Sequence, residues 1–220
     1  MKVDGPIVCV VTDRRRVSPD ARTPGQQLRD FEAWLDEVLR AGAGLVQLRE
    51  PDLDAAILSA IARGLAARAA GTGTRVLVND RADVARAAGA DGVHLRGDGP
   101  AAGRVRALGP TAWIVGRSVH SAAESAAGQD ADYLIFGAVF PTVSKPGRAP
   151  AGLDALHEVA RMSGVSVLAI GGIDERRARA VVAAGADGVA AIGLFLPEGR
   201  EPSALGPARA VAALRAAMLE

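Results

Sequence analysis

Three side chains that can bind phosphate lie close together in one loop of the sequence. An apolar segment at Tyr133–Phe136 leads into a loop with a proline on each side of Thr142, Ser144 and Lys145. The two hydroxyls can donate hydrogen bonds to phosphate oxygens, and the ammonium adds a positive charge. The loop is therefore either an anion-binding site or a solvated surface turn, and only the rest of the chain distinguishes the two.

Two aspartates are candidate metal ligands. Asp80 and Asp98 each follow a short apolar segment, and Mg²⁺ is commonly held by one or two carboxylates together with substrate phosphates. Each has a structural alternative, because Asp80 could cap a helix that begins near Ala82 and Asp98 lies in an Asp-Gly-Pro turn. Two carboxylates facing a pyrophosphate would repel it without a cation, so the pair predicts Mg²⁺ if the ligand is a pyrophosphate.

These residues need a scaffold that brings distant loops together. Short apolar segments alternate with amphipathic segments eight times, which is typical of repeated βα units. The predicted strands are Ile7–Thr12, Gly44–Arg49, Arg75–Asn79, Gly92–Leu95, Trp113–Arg117, Tyr133–Gly137, Ser166–Gly171 and Gly188–Gly193. The predicted helices are Gln27–Ala41, Leu53–Ala70, Ala82–Ala88, Ala101–Leu108, Ala122–Ala127, Leu153–Met162, Glu175–Ala184 and Pro207–Met218. This alternation predicts an α/β fold, a single (β/α)8 TIM barrel that spans residues 1–220.

A doubly wound open sheet is the alternative for the same alternation. Its usual Gly-x-Gly-x-x-Gly sequence is missing after the first strand, where Thr12-Asp13-Arg14-Arg15-Arg16 follows instead. No linker with a change in composition interrupts the strands, so no second domain is indicated. The helix-to-strand connections also repeat one pattern, AGAG at 41–44 and AGADGV at both 88–93 and 184–189. The closed barrel is therefore the preferred prediction.

Composition limits the partners and the compartment. The 220 residues are 49% hydrophobic with a formal net charge of +1, so no overall field attracts nucleic acid or an anionic membrane. No segment approaches a membrane span, and no signal peptide is evident. The lone Cys9 lies in an apolar strand, which predicts an inert core thiol and a cytoplasmic protein. The expected partners are small-molecule substrates, and a homo-oligomer is possible.

In such a barrel the active site forms at the carboxyl ends of the strands. The residues predicted there are Gln47, Arg49, Asn79, Asp80, His94, Asp98, Ser118, His120, Thr142, Ser144, Lys145, Gly172, Ile192 and Gly193. Glycines after the seventh and eighth strands leave backbone N–H groups accessible, which is typical of a phosphate site. Gly172 could instead only close the turn into a helix capped by Asp174.

The cations and histidines at these ends differ in expected role. Arg49 and Lys145 are placed to bind phosphate from opposite sides of the barrel mouth, whereas Arg14–Arg16 and the pair Arg176 and Arg177 are expected on a solvated face.

His94 alternates inward between Val93 and Leu95, which predicts a hydrogen-bonded core imidazole. His120 follows the fifth strand and is expected to reach the mouth as an acid or base.

Five segments of the chain resemble the thiamine phosphate synthase family, which also includes thiazole tautomerases. They are GLVQLRE at 44–50, VLVNDRADVARAAGADGVHL at 76–95, IVGRSVH at 114–120, DYLIFGAVFPTVSK at 132–145 and AIGGI at 169–173. The resemblance implies a phosphate-binding TIM barrel, in agreement with the strand count. It also implies a reaction in which a pyrimidine diphosphate loses Mg²⁺-bound pyrophosphate and the nitrogen of a thiazole phosphate captures the pyrimidine.

The resemblance assigns roles to matching residues. It implies Ser118 and Lys145 as catalytic residues, Lys145 by contacting the pyrophosphate, and Asp80 and Asp98 as Mg²⁺ ligands, the latter with a one-residue deletion after Leu95. The implied pyrimidine diphosphate contacts are Gln47, Arg49, Asn79 and Ser118. The implied thiazole phosphate contacts are Thr142, Ser144, Gly172, Ile192 and Gly193.

Some residues depart from the synthase pattern. Pro51 replaces a lysine, Arg96-Gly97 replaces Gly-Gln, and Ser144 replaces the usual threonine. The segment GRSVHS at 116–121 is closer to the tautomerase branch, in which His120 would transfer the proton. A metal-independent tautomerase has no need of Asp80 or Asp98, so a Mg²⁺-dependent synthase is preferred. The alternatives are a thiazole tautomerase and a catalytically silent barrel that binds a thiamine precursor.

Overall fold

Eight parallel strands close into a barrel in the computed structural model of the chain, which describes residues 5–144, 147 and 149–219. The strands are β1 (Ile7–Val11), β2 (Leu45–Leu48), β3 (Arg75–Asn79), β4 (Gly92–Leu95), β5 (Ile114–Val119), β6 (Tyr133–Gly137), β7 (Ser166–Ile170) and β8 (Gly188–Ala191). Each strand pairs with its sequence neighbours, and β1 closes the barrel against β8 with Cys9 opposite Ala190. The predicted TIM barrel is confirmed.

Helices follow the strands on the outside of the barrel. They are α1 (Arg14–Val17), α2 (Pro24–Ala41), α3 (Ala55–Ala69), α4 (Ala82–Ala88), α5 (Ala102–Arg106), α6 (Ala122–Ala127), α7 (Gly152–Met162), α8 (Glu175–Ala183) and α9 (Pro207–Leu219). Side-chain caps set several starts: Thr23 accepts from the Gln26 N–H at α2, and Asp54 accepts from the first turn of α3. Asp174 caps α8 as predicted.

The structure corrects several predicted boundaries. Strand β5 runs two residues beyond its predicted end, because Ser118 and Val119 continue the parallel ladder with β6. Strand β8 ends at Ala191, and a short 3₁₀ helix at Gly193–Phe195 follows. Helix α1 was not predicted, since four residues are too few to show helical periodicity. Helix α2 begins at Pro24 rather than Gln27, because proline is favoured in the first helical turn.

The core has two layers. Side chains pointing into the barrel form a small cluster that includes Cys9, Leu77, Tyr133 and Leu168, and a larger cluster fills the space between strands and helices. Burial raises the pKa of the Cys9 thiol to about 12, so this cysteine is an inert core residue as predicted. Among the described residues, no helix combines the length and the apolar character that crossing a bilayer requires.

Candidate active site

A cavity of about 1010 Å³ opens at the carboxyl ends of the strands. Of the residues predicted to contact substrate or metal, those that line it are Gln47, Arg49, Asn79, Asp80, Asp98, Ser118, His120, Thr142, Ser144, Gly172, Ile192 and Gly193. Lys145 lies outside the described residues. The barrel therefore brings together at one mouth residues that are spread over seven strand ends, as parallel strands must.

Asp80 is held in an unusual backbone conformation at the end of β3. Its φ is 60°, and among the described residues it is the one non-glycine with a positive φ. Its carboxylate accepts hydrogen bonds from the Asn79 side-chain amide at 2.9 Å and from the Arg96 N–H at 2.9 Å. It does not cap α4, whose N-cap position is Arg81 without a side-chain bond. The capping alternative for Asp80 is therefore wrong. Residues with strained backbone of this kind cluster at functional sites.

A chain of hydrogen bonds joins three of the predicted residues. The amide of buried Gln47 donates to the Asn79 side-chain oxygen at 2.6 Å, and Asn79 donates in turn to Asp80. The neighbouring Arg49 side chain is exposed to the cavity and makes no hydrogen bond or ion pair with any residue that the structure describes. Arg49 and Asp80 therefore offer a ligand in this cavity one cation and one anion.

Asp98 lies on a loop that β5 holds in place. The buried guanidinium of Arg117 donates to the carbonyl oxygens of Gly97 and Pro100, which flank the aspartate. Asp98 itself is 79% exposed and pairs with Arg96 at 2.9 Å. An exposed pair of this kind contributes about 0–1 kcal/mol, so a ligand can displace it at little cost.

The donor set at this side of the cavity fits Mg²⁺. Within the described ranges no cluster of three or more His, Cys, Asp or Glu side chains is placed to hold a metal ion. Two carboxylates from Asp80 and Asp98 nevertheless match an ion that takes its remaining ligands from phosphate and water. Two N–H donors already orient the Asp80 carboxylate, which is the outer-shell support that metal ligands usually have.

Ser118 connects the cavity to a buried histidine. Its hydroxyl lies 2.9 Å from His94 Nε2, and His94 Nδ1 lies 3.0 Å from the Tyr133 hydroxyl. Burial, with a smaller effect of Arg117, lowers the pKa of His94 to about 3, so the imidazole is neutral. His94 is thus the hydrogen-bonded core residue that was predicted. Gly116 leaves room for Tyr133, because a Cβ there would lie 2.2 Å from its ring.

His120 also reaches the cavity, as predicted. Its Nδ1 bonds to the carbonyl oxygen of Gly137, which only accepts, so Nδ1 carries the proton in the neutral ring. Its Nε2 then has a free lone pair, and His120 can act as a base at this position.

The opposite side of the cavity is built from glycines and loop hydroxyls. Gly172 has φ +64°, and a Cβ there would lie 2.4 Å from the Pro141 carbonyl oxygen. The backbone just after β7 therefore approaches the Thr142 and Ser144 loop more closely than any side chain would allow. Gly193 faces the same space, since an added Cβ would lie 3.1 Å from Arg16 and from Glu201.

The arginines predicted on a solvated face are mostly not there. Arg14 is 7% exposed and bonds to Glu50 and Asp52, whereas Arg16 and Arg177 line the cavity. Arg177 donates to the Gly172 carbonyl at 2.6 Å and stacks over Phe140. Among the residues named here, only Arg15 and Arg176 are exposed as predicted. A run of three arginines after β1 carries no sequence signal for burial, because their partners lie far along the chain.

Glu50 ties the ends of β1 and β2 together. Its carboxylate accepts from the Thr12 hydroxyl at 2.7 Å and from Arg14, and Thr12 in turn accepts from the Arg49 N–H at 2.9 Å. Burial raises the pKa of Glu50, while the hydrogen bonds from Thr12 and Arg14 oppose this shift. The Arg14 side chain lowers the pKa of Asp52 to about 2. This buried network fixes the backbone from which Arg49 extends.

The chain is similar in sequence and in structure to thiamine phosphate synthases. A family model described as thiamine monophosphate synthase matches residues 16–195. A putative thiamine-phosphate synthase of Geobacter sulfurreducens is 41% identical over 79% of this chain and 84% of the relative. A thiamine-phosphate synthase of Roseiflexus castenholzii is 40% identical over 84% of this chain and 79% of the relative. A thiamine phosphate pyrophosphorylase structure from Pyrococcus furiosus superposes with a TM-score of 0.78 at 29% identity, covering 97% of this chain and 95% of the other.

Proposed function

Because the chain belongs to the thiamine monophosphate synthase family, we propose that it is a thiamine-phosphate synthase. It joins hydroxymethylpyrimidine diphosphate to hydroxyethylthiazole phosphate and releases pyrophosphate. The observation that carries the proposal is the hydrogen-bond chain Gln47–Asn79–Asp80, which ends at the strained aspartate and shares one cavity with the Gly172 side. A tautomerase would have no use for an aspartate fixed in this way.

The side of the cavity after β2 to β4 would bind the pyrimidine diphosphate. Arg49, unpaired among the described residues, would contact the diphosphate, and Gln47 and Asn79 would orient the substrate. Asp80 and Asp98 would hold Mg²⁺, which supplies neutralisation of the charge that grows on the leaving pyrophosphate. Lys145 would contact the same group from the other side.

Ser118 would donate a hydrogen bond to the departing pyrophosphate. The Tyr133 hydroxyl has His94 Nδ1 as its one hydrogen-bond partner among the described residues, so its buried proton is satisfied only by donating to that nitrogen. The neutral ring then carries its proton on Nε2 and donates to Ser118, whose own proton is free to point into the cavity. Tyr133 and His94 are thus positioning residues, and Ser118 is the catalytic one.

The other side would bind the thiazole phosphate. Thr142 and Ser144 offer hydroxyls, and Gly172, Ile192 and Gly193 offer backbone next to the first turn of a helix or a 3₁₀ turn. Backbone N–H groups at such positions bind phosphate well. A thiazole bound here would share the cavity with the pyrimidine bound on the opposite side, as the joining of the two rings requires.

The direct test is pyrophosphate release from the two substrates. The full chain should release pyrophosphate when both substrates and Mg²⁺ are present, and omission of either substrate or addition of EDTA should stop release. Absence of release in the complete mixture would overturn the proposal.

We also propose that residues 1–220 act as one barrel domain in the cytoplasm, where the single buried thiol of Cys9 stays reduced.

A thiazole tautomerase is the second candidate, and the tautomer of His120 favours it. Its Nε2 lone pair is available because Nδ1 donates to the Gly137 carbonyl. If this were the activity, His120→Asn would abolish proton exchange on the thiazole and EDTA would have no effect. If the chain is a synthase, EDTA should instead stop its activity.

A further inference from the structure

One arginine joins three loops at the mouth of the barrel. Arg16, in α1, donates from Nε and Nη2 to the carboxylate of Glu201 at 2.8 and 2.7 Å. Its Nη1 donates to the Ser144 hydroxyl at 3.1 Å. The residues of these contacts belong to the segments after β1, β6 and β8, and all three side chains line the cavity.

The carboxylate of Glu201 occupies one edge of the guanidinium and leaves donors on the other. Arginine has five N–H groups, and the bidentate pair with Glu201 uses the edge formed by Nε and Nη2. The Nη1 end faces Ser144, and Nη2 lies 3.1 Å from the position of a Cβ on Gly193. Arg16 therefore reaches the two places where the proposed function puts the phosphate of the thiazole substrate.

Of the other described cavity arginines, two are directed elsewhere, and Arg177 lies beside Gly172 with its Nη1 already bonded there. Arg49 extends from β2 on the opposite side, Arg96 pairs with Asp98, and Arg177 donates to the Gly172 carbonyl. Arg16 and Glu201 are 23% and 20% exposed, so the pair is partly shielded from water and its hydrogen bonds are stronger than those of a surface pair.

We propose that Arg16 binds the phosphate of the thiazole substrate and that Glu201 holds the guanidinium in position. This inference rests on the proposed function, because it names the ligand of the same cavity. Planar guanidinium donors suit phosphate oxygens, and the contact would add a charged donor to the neutral hydroxyls and backbone groups around it. The negative charge of Glu201 opposes part of this attraction, so the effect of Arg16 is about tenfold in affinity, at the lower end for a charged contact.

The test is calorimetric binding of hydroxyethylthiazole phosphate and of the unphosphorylated alcohol to the full chain. Arg16→Ala should weaken binding of the phosphate ester about tenfold and leave binding of the alcohol unchanged. Arg209→Ala is the matched control, because it breaks an Arg–Glu pair with Glu198 that lies outside the cavity. Equal affinity of wild type and Arg16→Ala for the ester, or no binding of the ester by wild type, would overturn the inference.

A second variant separates phosphate binding from a merely structural contact between loops. Glu201→Gln removes the opposing charge, while the amide oxygen can still accept a hydrogen bond from the guanidinium and keep it in position. Affinity for the ester should therefore stay the same or rise by up to about threefold. If Arg16 only ties the loops together, Glu201→Gln should weaken binding as much as Arg16→Ala does, which would contradict the proposal.

Pyrophosphate release by wild type distinguishes this inference from the proposed function. A wild-type chain that binds the ester with the expected loss in Arg16→Ala, yet releases no pyrophosphate, would refute the synthase and support the role of Arg16. Release of pyrophosphate with no effect of Arg16→Ala on ester binding would support the synthase and refute the role of Arg16.

Discussion

The two sides of the cavity are built from different materials. After β2 to β4, the groups that face a ligand are charged side chains, of which Asp80 is held by hydrogen bonds from Asn79 and the Arg96 N–H. After β6 to β8, the site depends on the absence of a side chain at Gly172, where a Cβ would lie 2.4 Å from the Pro141 carbonyl oxygen. The first side should be more sensitive to loss of charge than the second, where removal of Arg16 should cost about tenfold, and the second side should be more sensitive to gain of volume. Substitutions that change one property at a time can test this difference.

The largest effect is expected from Asp80→Asn. Asparagine tolerates the left-handed conformation that Asp80 adopts with φ 60°, so the backbone is preserved and only the charge is lost. We expect kcat/KM for pyrophosphate release to fall about 10³-fold, or about 4 kcal/mol, with a higher Mg²⁺ requirement.

Asp83→Asn is the control for this experiment, because Asp83 pairs with Arg81 away from the cavity. A loss below tenfold in Asp80→Asn, or an unchanged Mg²⁺ dependence, would show that charge does not dominate this side.

The next largest effect is expected from Gly172→Ala on the other side. The added Cβ would lie 2.4 Å from the Pro141 oxygen and displace the loop that carries Thr142 and Ser144. We expect KM for the thiazole phosphate to rise about 10²-fold with a much smaller change in KM for the pyrimidine diphosphate.

Gly199→Ala separates volume from backbone strain. Gly199 also has a positive φ, at +84°, but nothing lies within 4 Å of an added Cβ. Both variants should lose about 1 kcal/mol of stability from backbone strain, Gly172→Ala should lose more because of the contact with Pro141, and only Gly172→Ala should change KM. Equal kinetic effects of the two would mean that strain, and not lack of space, limits the glycine side.

The two sides also differ in how far the sequence predicts them. Strands β3, β4 and β6 have the predicted bounds, because short apolar runs between turn residues are strong signals, and the strand ends then place Asp80 and Thr142 at one mouth. The left-handed conformation of Asp80 has no such signal, since it depends on β4 and on the Arg96 N–H.

Contacts between distant loops were missed altogether. Arg16 and Glu201 are 185 positions apart, and no local pattern marks either residue. The buried contact between Arg14 and Glu50 was missed for the same reason. Hydrophobic periodicity reports the elements and their order, whereas ion pairs depend on how the loops approach one another after the barrel closes.

Ser118 lies between the two sides and is positioned by His94. The pKa of His94 predicts how the free energy of unfolding depends on pH. The folded pKa of His94 is about 3 and the ordinary value is 6.5, so the unfolded chain binds the extra proton between these values. Stability contributed by neutral His94 is complete above pH 6.5 and is lost as pH falls towards 3. At pH 5 the free energy of unfolding should be about 2 kcal/mol lower than at pH 7.5, a factor of about 30.

Urea denaturation of wild type and His94→Asn at both pH values checks this prediction. The asparagine side chain at position 94 does not titrate. The difference between the free energies of unfolding at the two pH values should therefore be about 2 kcal/mol smaller in the variant than in wild type. The same pH dependence in both proteins would show that other groups cause it.

The smallest effect is expected from restoring a cation at Pro51, the position where the synthase pattern has a lysine. Pro51 lines the cavity next to Arg49, so Pro51→Lys should lower KM for the pyrimidine diphosphate about threefold and leave KM for the thiazole phosphate unchanged. Pro51→Gln also replaces the proline with a flexible polar side chain, but without the charge, and should have no effect. If lysine lowered both KM values, charge would act across the whole cavity, and the division into a charged side and a glycine side would fail.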